Sequence, residues 1–307
     1  ALAIADTKAD IICLQEVDNI QVLKAFEFGY LFKMVGSGYR QKFMVEGNDS
    51  RGIDVAVMMK EETRDGQPIE CVKVTSHAGL TFEELDLYSD GVALLDIKPN
   101  EKIFRRDCLE VELRIGGRPL TLFVTHLKSM GGPRNGMDGR LATLPVRVAE
   151  TKAIRHVVEQ RFGVNGTAHG QWLICGDMND YYEQIEIRDG ADGGFDFVPV
   201  EDANSALNVF LADGFAENLV GRREQMDRWT LYHTRGPLER HLCQLDYMLA
   251  SPALASRNGT RKPDIIRRGQ PYRTIFPAGQ EVERYPRVGW DRPKSSDHCP
   301  VAMTFDV

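Results

Sequence analysis

Residues 172–180 read Trp172-Leu173-Ile174-Cys175-Gly176-Asp177-Met178-Asn179-Asp180. A short apolar run that stops at a glycine and then turns acidic reads as a buried strand ending in a polar turn. In an extended chain, alternation places Asp177 and Asn179 on one face. The same form recurs elsewhere. Ile11-Ile12-Cys13-Leu14 leads to Gln15-Glu16, and Leu120-Thr121-Leu122-Phe123-Val124-Thr125 leads to His126. Further strands are expected over 55–59, 71–75, 92–97, 108–115, 244–249 and 301–305. Gly116-Gly117 between two such runs predicts a hairpin turn with positive φ. A helical period is clear over 144–162, where Val148, Ile154, Val157, Val158 and Phe162 share a stripe; it is weaker up to Lys8 and over 203–210. Segments 131–139, 188–202 and 257–294 read as long loops. Many strands with few helices imply two packed sheets with helices outside. No repeat and no Ser/Gly/Pro linker divides the chain, so a single domain over 1–307 is expected.

Composition narrows the classes. The chain has 307 residues, 42% apolar and 27% charged, with a formal net charge of -7. Disorder and small disulfide scaffolds are excluded on those values. No window approaches 18 consecutive apolar residues, so a membrane-spanning helix is not expected. Six cysteines lie far apart with no C-x-x-C pair, which favours reduced thiols and a reducing compartment over a zinc or disulfide framework. The charge is uneven: residues 221–294 hold 15 Lys and Arg against 8 Asp and Glu.

The chemistry-bearing residues gather at strand ends. Glu16 and Asp297 supply the oxygen ligands that Mg²⁺ takes, one or two carboxylates with retained waters. Asp177 and Asn179 could orient a water and donate to a phosphoryl oxygen, or simply form an Asx turn. Asp246, in Leu245-Asp246-Tyr247-Met248, is an acid embedded in an apolar strand and needs a partner. His298, in Ser295-Ser296-Asp297-His298-Cys299-Pro300-Val301, is one candidate; backbone amides or an arginine are the other. A histidine so held can move protons near neutral pH. His126 ends its strand, which suits a phosphate-facing role. Arg51, Asp54 and Arg106 form a weaker group for phosphate binding or orientation: Asp54 could orient His126 or pair with Arg51.

Five motifs, Leu14-Gln15-Glu16, Thr125-His126-Leu127-Lys128, Gly176-Asp177-Met178-Asn179, Leu245-Asp246-Tyr247 and Ser296-Asp297-His298-Cys299-Pro300-Val301, occur in one order. In that order the chain resembles the endonuclease/exonuclease/phosphatase superfamily, DNase I-like branch, over residues 1 to about 306. The resemblance implies a four-layer α/β/β/α sandwich with one Mg²⁺-dependent phosphoesterase site, Mn²⁺ or Ca²⁺ being alternatives. It implies that Glu16 binds the metal with Asp297 nearby, that Asp177 and Asn179 position water and phosphate, and that His298, held by Asp246, is a general base or a transition-state stabiliser. His126 matches the branch with DNase I-like, sphingomyelinase-like and inositol-phosphatase-like members. The family's opening strand and its site Asn have no counterpart ahead of Leu14-Gln15-Glu16, so the expectation is a domain lacking its first strand and, if truncated, of weak activity.

The function expected is hydrolysis of phosphate esters by activated water, with phosphodiesters and nucleic acid first. A lipid, sugar or inositol phosphate is the alternative substrate, and a non-catalytic binding module the lesser one. Arg222, Arg223, Arg261, Lys262, Arg267 and Arg268 could track phosphates, and Tyr181, Tyr182, Trp229 and Trp290 could stack on bases. Large apolar docking loops are not evident, and no obligate protein partner is inferred.

Overall fold

A computed structural model describes residues 1–132, 136–236 and 239–307. The strands, in chain order, are β1 (Ile11–Val17), β2 (Gln41–Met44), β3 (Asp54–Met59), β4 (Ile69–Ser76), β5 (Cys108–Ile115), β6 (Arg118–His126), β7 (Trp172–Asp177), β8 (Glu183–Asp189), β9 (Phe195–Glu201), β10 (Glu217–Asn218), β11 (Leu231–Thr234), β12 (Arg240–Cys243), β13 (Asp246–Ala250), β14 (Asp264–Ile265) and β15 (Val301–Ala302). One sheet runs β10-β13-β7-β6-β5-β4, a second β1-β3-β2, a third β11-β12-β8-β9, and β14 pairs with β15.

Side-chain alternation generates the layers. On one face of the six-stranded sheet, Phe123, Ile174 and Leu249 pack against Val146, Ala149, Ala153, Ile154 and Val157 of the helix Gly139–Phe162. On its other face, Leu109, Leu122, Val124 and Leu173 meet Val55, Val57 and Met59 of β3. The alternate residues of β3, Ala56 and Met58, face outward onto Leu23, Leu31 and Tyr39. Helix, sheet, sheet, helix is therefore the order, and it is the α/β/β/α sandwich expected. Burying both faces of β3 explains why Asp54–Met59 is buried throughout.

Several local expectations need correction. Residues 92–97 do not form a strand: Ser89 caps a turn of helix over Asp90–Ala93, its side chain accepting from Val92 N. The supposed loop 188–202 contains half of the β8–β9 hairpin, with Pro199 tolerated because β9 is a sheet edge. Helix formation near 203–210 shrinks to Asn208–Leu211. Segment 131–139 falls partly outside the described residues. The β5–β6 hairpin forms as expected, with Gly116 and Gly117 at φ 56° and 83°. The segment after Glu16 forms the helices Ile20–Phe26 and Phe32–Val35 around a π turn, and exposes Phe28, Tyr30, Phe32 and Met34.

Candidate active site

Strand register assembles the site. The parallel pair β6–β7 sets His126 opposite Asp177, and the antiparallel pair β13–β7 sets Asp246 opposite the same residue. Three chemistry-bearing side chains thus lie in one row across adjacent strands. Gly176 is obligatory just before that row, because at φ 142° an added Cβ would lie 1.9 Å from Thr125 O.

Asp177 is the hub. Its Oδ1 accepts from Asn179 N at 2.7 Å and its Oδ2 from Asn179 Nδ2 at 3.0 Å. His126 Nε2 lies 3.4 Å and His298 Nε2 3.9 Å from the same Oδ2. Asn179 sits at φ 46°, a left-handed conformation that asparagine tolerates. Its amide also donates to Leu127 O at 3.1 Å, so both Nδ2 hydrogens are engaged within the protein. Burial pushes the Asp177 carboxyl well above the usual carboxylate range, the Asp246 charge adds to the rise, and His298 opposes it.

His298 Nδ1 meets Asp246 Oδ2 at 2.8 Å, the partnership expected for that embedded acid. Thr230, fully buried, fixes both: its Oγ1 accepts from Leu245 N and Asp246 N, and its carbonyl accepts from Cys299 N at 2.7 Å. Burial alone would lower the His298 pKa, but the carboxylates of Asp246, Asp177 and Asp297 outweigh it and raise the value.

Arg106 is buried, with Nε 2.9 Å from Asp49 Oδ2 and Nη1 donating to Leu127 O at 3.0 Å. It therefore shares a carbonyl with Asn179. Arg51 chelates the same Asp49 through Nε and Nη2, both at 3.1 Å. Burial would raise the Asp49 carboxyl, but the hydrogen bonds from Arg51 hold it at about 2. Neither arrangement proposed for Asp54 forms: its Oδ1 accepts from Gly47 N at 2.7 Å, and Arg51 takes Asp49 instead. Sequence reasoning missed Asp49, because an acid in a polar turn carries no signal of its own. His126 Nδ1 is buried without a partner among the described residues.

Glu16 is brought out by a β-bulge. Leu14 pairs with Ala56 and Val17 with Asp54, so Gln15 and Glu16 together oppose Val55, and Glu16 takes φ 58°. Its exposed carboxylate has no hydrogen bond or ion pair among the described residues, and its charge helps keep Arg51 protonated. Asp297 is also exposed, with Oδ2 3.9 Å from Lys294 Nζ and its carbonyl accepting from Gln270 Nε2. Among the described residues no group of three His, Cys, Asp or Glu side chains forms a cage. Exposed, weakly engaged carboxylates suit a hydrated Mg²⁺-like cation, which keeps several waters, and not a closed zinc site.

A second buried layer holds the loop after Asn179. Asp180 Oδ1 accepts from Arg140 Nε at 2.8 Å, its Oδ2 lies 3.4 Å from Arg147 Nε, and it also accepts from Tyr181 N and Ala206 N. Both arginines come from the helix Gly139–Phe162, whose apolar stripe alone was legible in the sequence.

Two buried, neutral imidazoles oppose folding in acid. Burial, then Arg106, pushes His126 down to about 3; burial, then His233, pushes His241 down to about 4. The unfolded rings titrate near 6.5, so from there down to about 4 the unfolded chain binds protons that the folded chain does not. The contribution of these two rings to stability therefore falls as pH falls through that window, by about 3 kcal/mol for His241, while the raised Asp177 carboxyl acts in the opposite sense. Urea unfolding at pH 7.5 and pH 4.5 isolates the His241 share: on going to the lower pH the unmodified chain should lose about 2–3 kcal/mol relative to His241→Gln, and an equal change in both chains would contradict this assignment.

The fold is similar to that of truncated Caenorhabditis elegans TDP2, at 16% identity over 100% of this chain and 88% of that one, TM-score 0.50. It is also similar to an AP endonuclease from Archaeoglobus fulgidus, at 19% identity over 98% and 91%, TM-score 0.51. No curated protein sequence matches the chain. The model of the endonuclease/exonuclease/phosphatase family, whose members hydrolyse phosphate ester bonds, matches residues 1–298, and the chain belongs to that family.

Proposed function

We propose that residues 1–307 form one catalytic domain, a divalent-cation-dependent phosphodiesterase whose first substrate class is nucleic acid. The observation that carries the reading is the row His126, Asp177, Asp246, with His298 bonded to Asp246 and facing Asp177. In this reading Glu16 and Asp297 hold Mg²⁺, for which Mn²⁺ or Ca²⁺ could substitute. When bound, the cation neutralises charge on the phosphoryl oxygen and the leaving group.

The other steps belong to the protein. Asp177 orients the attacking water and takes its proton, a task suited to a carboxyl whose pKa burial has raised. Asn179 holds both Asp177 oxygens in place, so its role is orientation rather than a free donor to phosphate. His298, held by Asp246, donates from Nε2 to the developing charge at phosphorus. His126, with Nδ1 unpaired, contributes a ring nitrogen to a substrate oxygen or a water. Arg106 and Arg51, both on Asp49, steady this edge of the site.

A comparison of plasmid DNA, an activated diester and an activated monoester, each with Mg²⁺ and with EDTA, tests the proposal. Nicked plasmid and diester turnover that EDTA abolishes are expected. Turnover confined to the monoester would make the chain a phosphatase, and turnover indifferent to EDTA would remove the metal.

One observation favours a second reading, a phosphate ester in a lipid surface. Phe28, Tyr30, Phe32 and Met34 are exposed on the segment that follows Glu16, with Lys24 and Lys33 beside them. Aromatic and basic side chains together suit an anionic membrane interface. Co-sedimentation with phosphatidylserine vesicles that Phe28→Ser/Phe32→Ser abolishes would support it.

A further inference from the structure

We infer that residues 271–294 form a stacking subsite for the unpaired bases of a single-stranded nucleic acid, next to Asp297 and His298. The inference rests on the phosphodiesterase reading and adds the kind of strand that the site receives.

Three tryptophans are present, and two are core residues: Trp172 is 0% and Trp229 1% exposed. Trp290 is 73% exposed and Tyr272 54%. Backbone bonds lock their segments side by side, from Tyr272 N to Gly289 O at 3.0 Å and from Arg273 N to Trp290 O at 2.9 Å. The Arg284 guanidinium stacks on Tyr272 at 5.0 Å from the ring centroid. Gln270 ties this unit to the proposed catalytic segment: its carbonyl accepts from Arg284 Nε at 3.4 Å and its Nε2 donates to Asp297 O at 2.9 Å.

Charge separates this surface from the rest of the basic stretch. Arg222 bonds Glu217 and three carbonyls, Arg223 and Arg267 share Asp227, Arg268 pairs with Asp6, and Arg261 bonds Asn258 and Thr304 O. Those arginines, the ones sequence inspection favoured for phosphate tracking, are held by internal acceptors. By contrast, Arg287 and Arg292 are exposed and have no carboxylate partner among the described residues. They flank Trp290 in sequence. Exposed rings beside uncommitted guanidinium groups meet the two needs of a single strand: a platform for base faces and cations for its phosphates. Unlike the segment after Glu16, where Val22 and Met34 are exposed beside the aromatic rings, this surface keeps Ile275 and Val282 packed against the cluster around Trp229 and Phe276, which favours a strand over a membrane here.

The test is binding by the full chain in EDTA, where turnover does not intervene. Because Trp172 and Trp229 are buried, quenching of tryptophan emission by a (dT)12 oligonucleotide reports on Trp290. Quenching is expected, with a single strand bound more tightly than the duplex of matched length. Trp290→Leu should abolish the quench, and Tyr272→Ala should weaken binding of a fluorescein-labelled (dT)12 about 10-fold by anisotropy. Arg287→Gln/Arg292→Gln should flatten the salt dependence. Circular dichroism confirms the fold of each variant. Unchanged anisotropy in all three variants, duplex binding at least as tight as single-strand binding, or quenching by anionic vesicles but not by (dT)12, would overturn the inference. Turnover of the activated diester by the unmodified chain is scored separately: binding without turnover sinks the catalytic reading alone, and turnover without binding sinks the subsite alone.

Discussion

His298→Ala should lower turnover of an activated phosphodiester by about 10³-fold while the chain remains folded, the scale expected for loss of a positioned donor to the charge that develops in the transition state. The expectation follows from where the ring lies. Its Nδ1 is fixed by Asp246 at 2.8 Å, and its Nε2 points toward the Asp177 carboxylate at 3.9 Å. No other cationic or donor side chain bridges these two acids among the described residues. Folding should survive because the ring is only half-buried, so its loss opens no sealed core cavity. The backbone bond from Cys299 N to Thr230 O continues to anchor the segment. Initial rates with saturating Mg²⁺, read beside circular dichroism, check both halves. Near-normal turnover would remove His298 from the mechanism, and a melted chain would make its role structural.

Asp180→Ala should cost about 3–5 kcal/mol of stability, the penalty of breaking a buried ion pair and stranding its partner. Here two guanidinium groups would be stranded, Arg140 and Arg147, both buried, with only Arg140 retaining a second carboxylate in Asp202 at 2.7 Å. The substitution also removes the acceptor of Tyr181 N and Ala206 N, which hold the turn after Asn179. Because Asn179 depends on that turn for its φ of 46°, activity should fall even below the melting temperature. Urea denaturation measures the first effect and diester turnover in the absence of urea the second. Destabilisation under about 1 kcal/mol would mean that the arginines find solvent or other acceptors.

The row at the strand ends was legible because an apolar run that stops at Asp177, His126 or Glu16 signals both burial and its end. Register then had only to align them, and it did so for His126, Asp177 and Asp246. The bulge that turns Glu16 outward was not legible, because nothing in Leu14-Gln15-Glu16-Val17 marks an extra residue opposite Val55. The supporting layer was hidden for a different reason. Arg140 and Arg147 lie on a helix that the apolar stripe identifies only from 144 onward, and pairing with Asp180 is a long-range event that no local period records. Misreading 92–97 came from judging apolar content without the Ser89 cap. The arginines of 221–268 misled in the opposite direction, since a count of charges does not separate a guanidinium bonded to carbonyls from one facing water.

The most direct measurement is release of p-nitrophenolate from bis(p-nitrophenyl) phosphate by the unmodified chain and by His298→Ala, each with Mg²⁺, then EDTA, then Mg²⁺ restored. The account predicts turnover by the unmodified chain that EDTA stops and Mg²⁺ restores, and a rate about 10³-fold lower for His298→Ala. Equal rates in the two chains, or turnover that persists in EDTA, would contradict it.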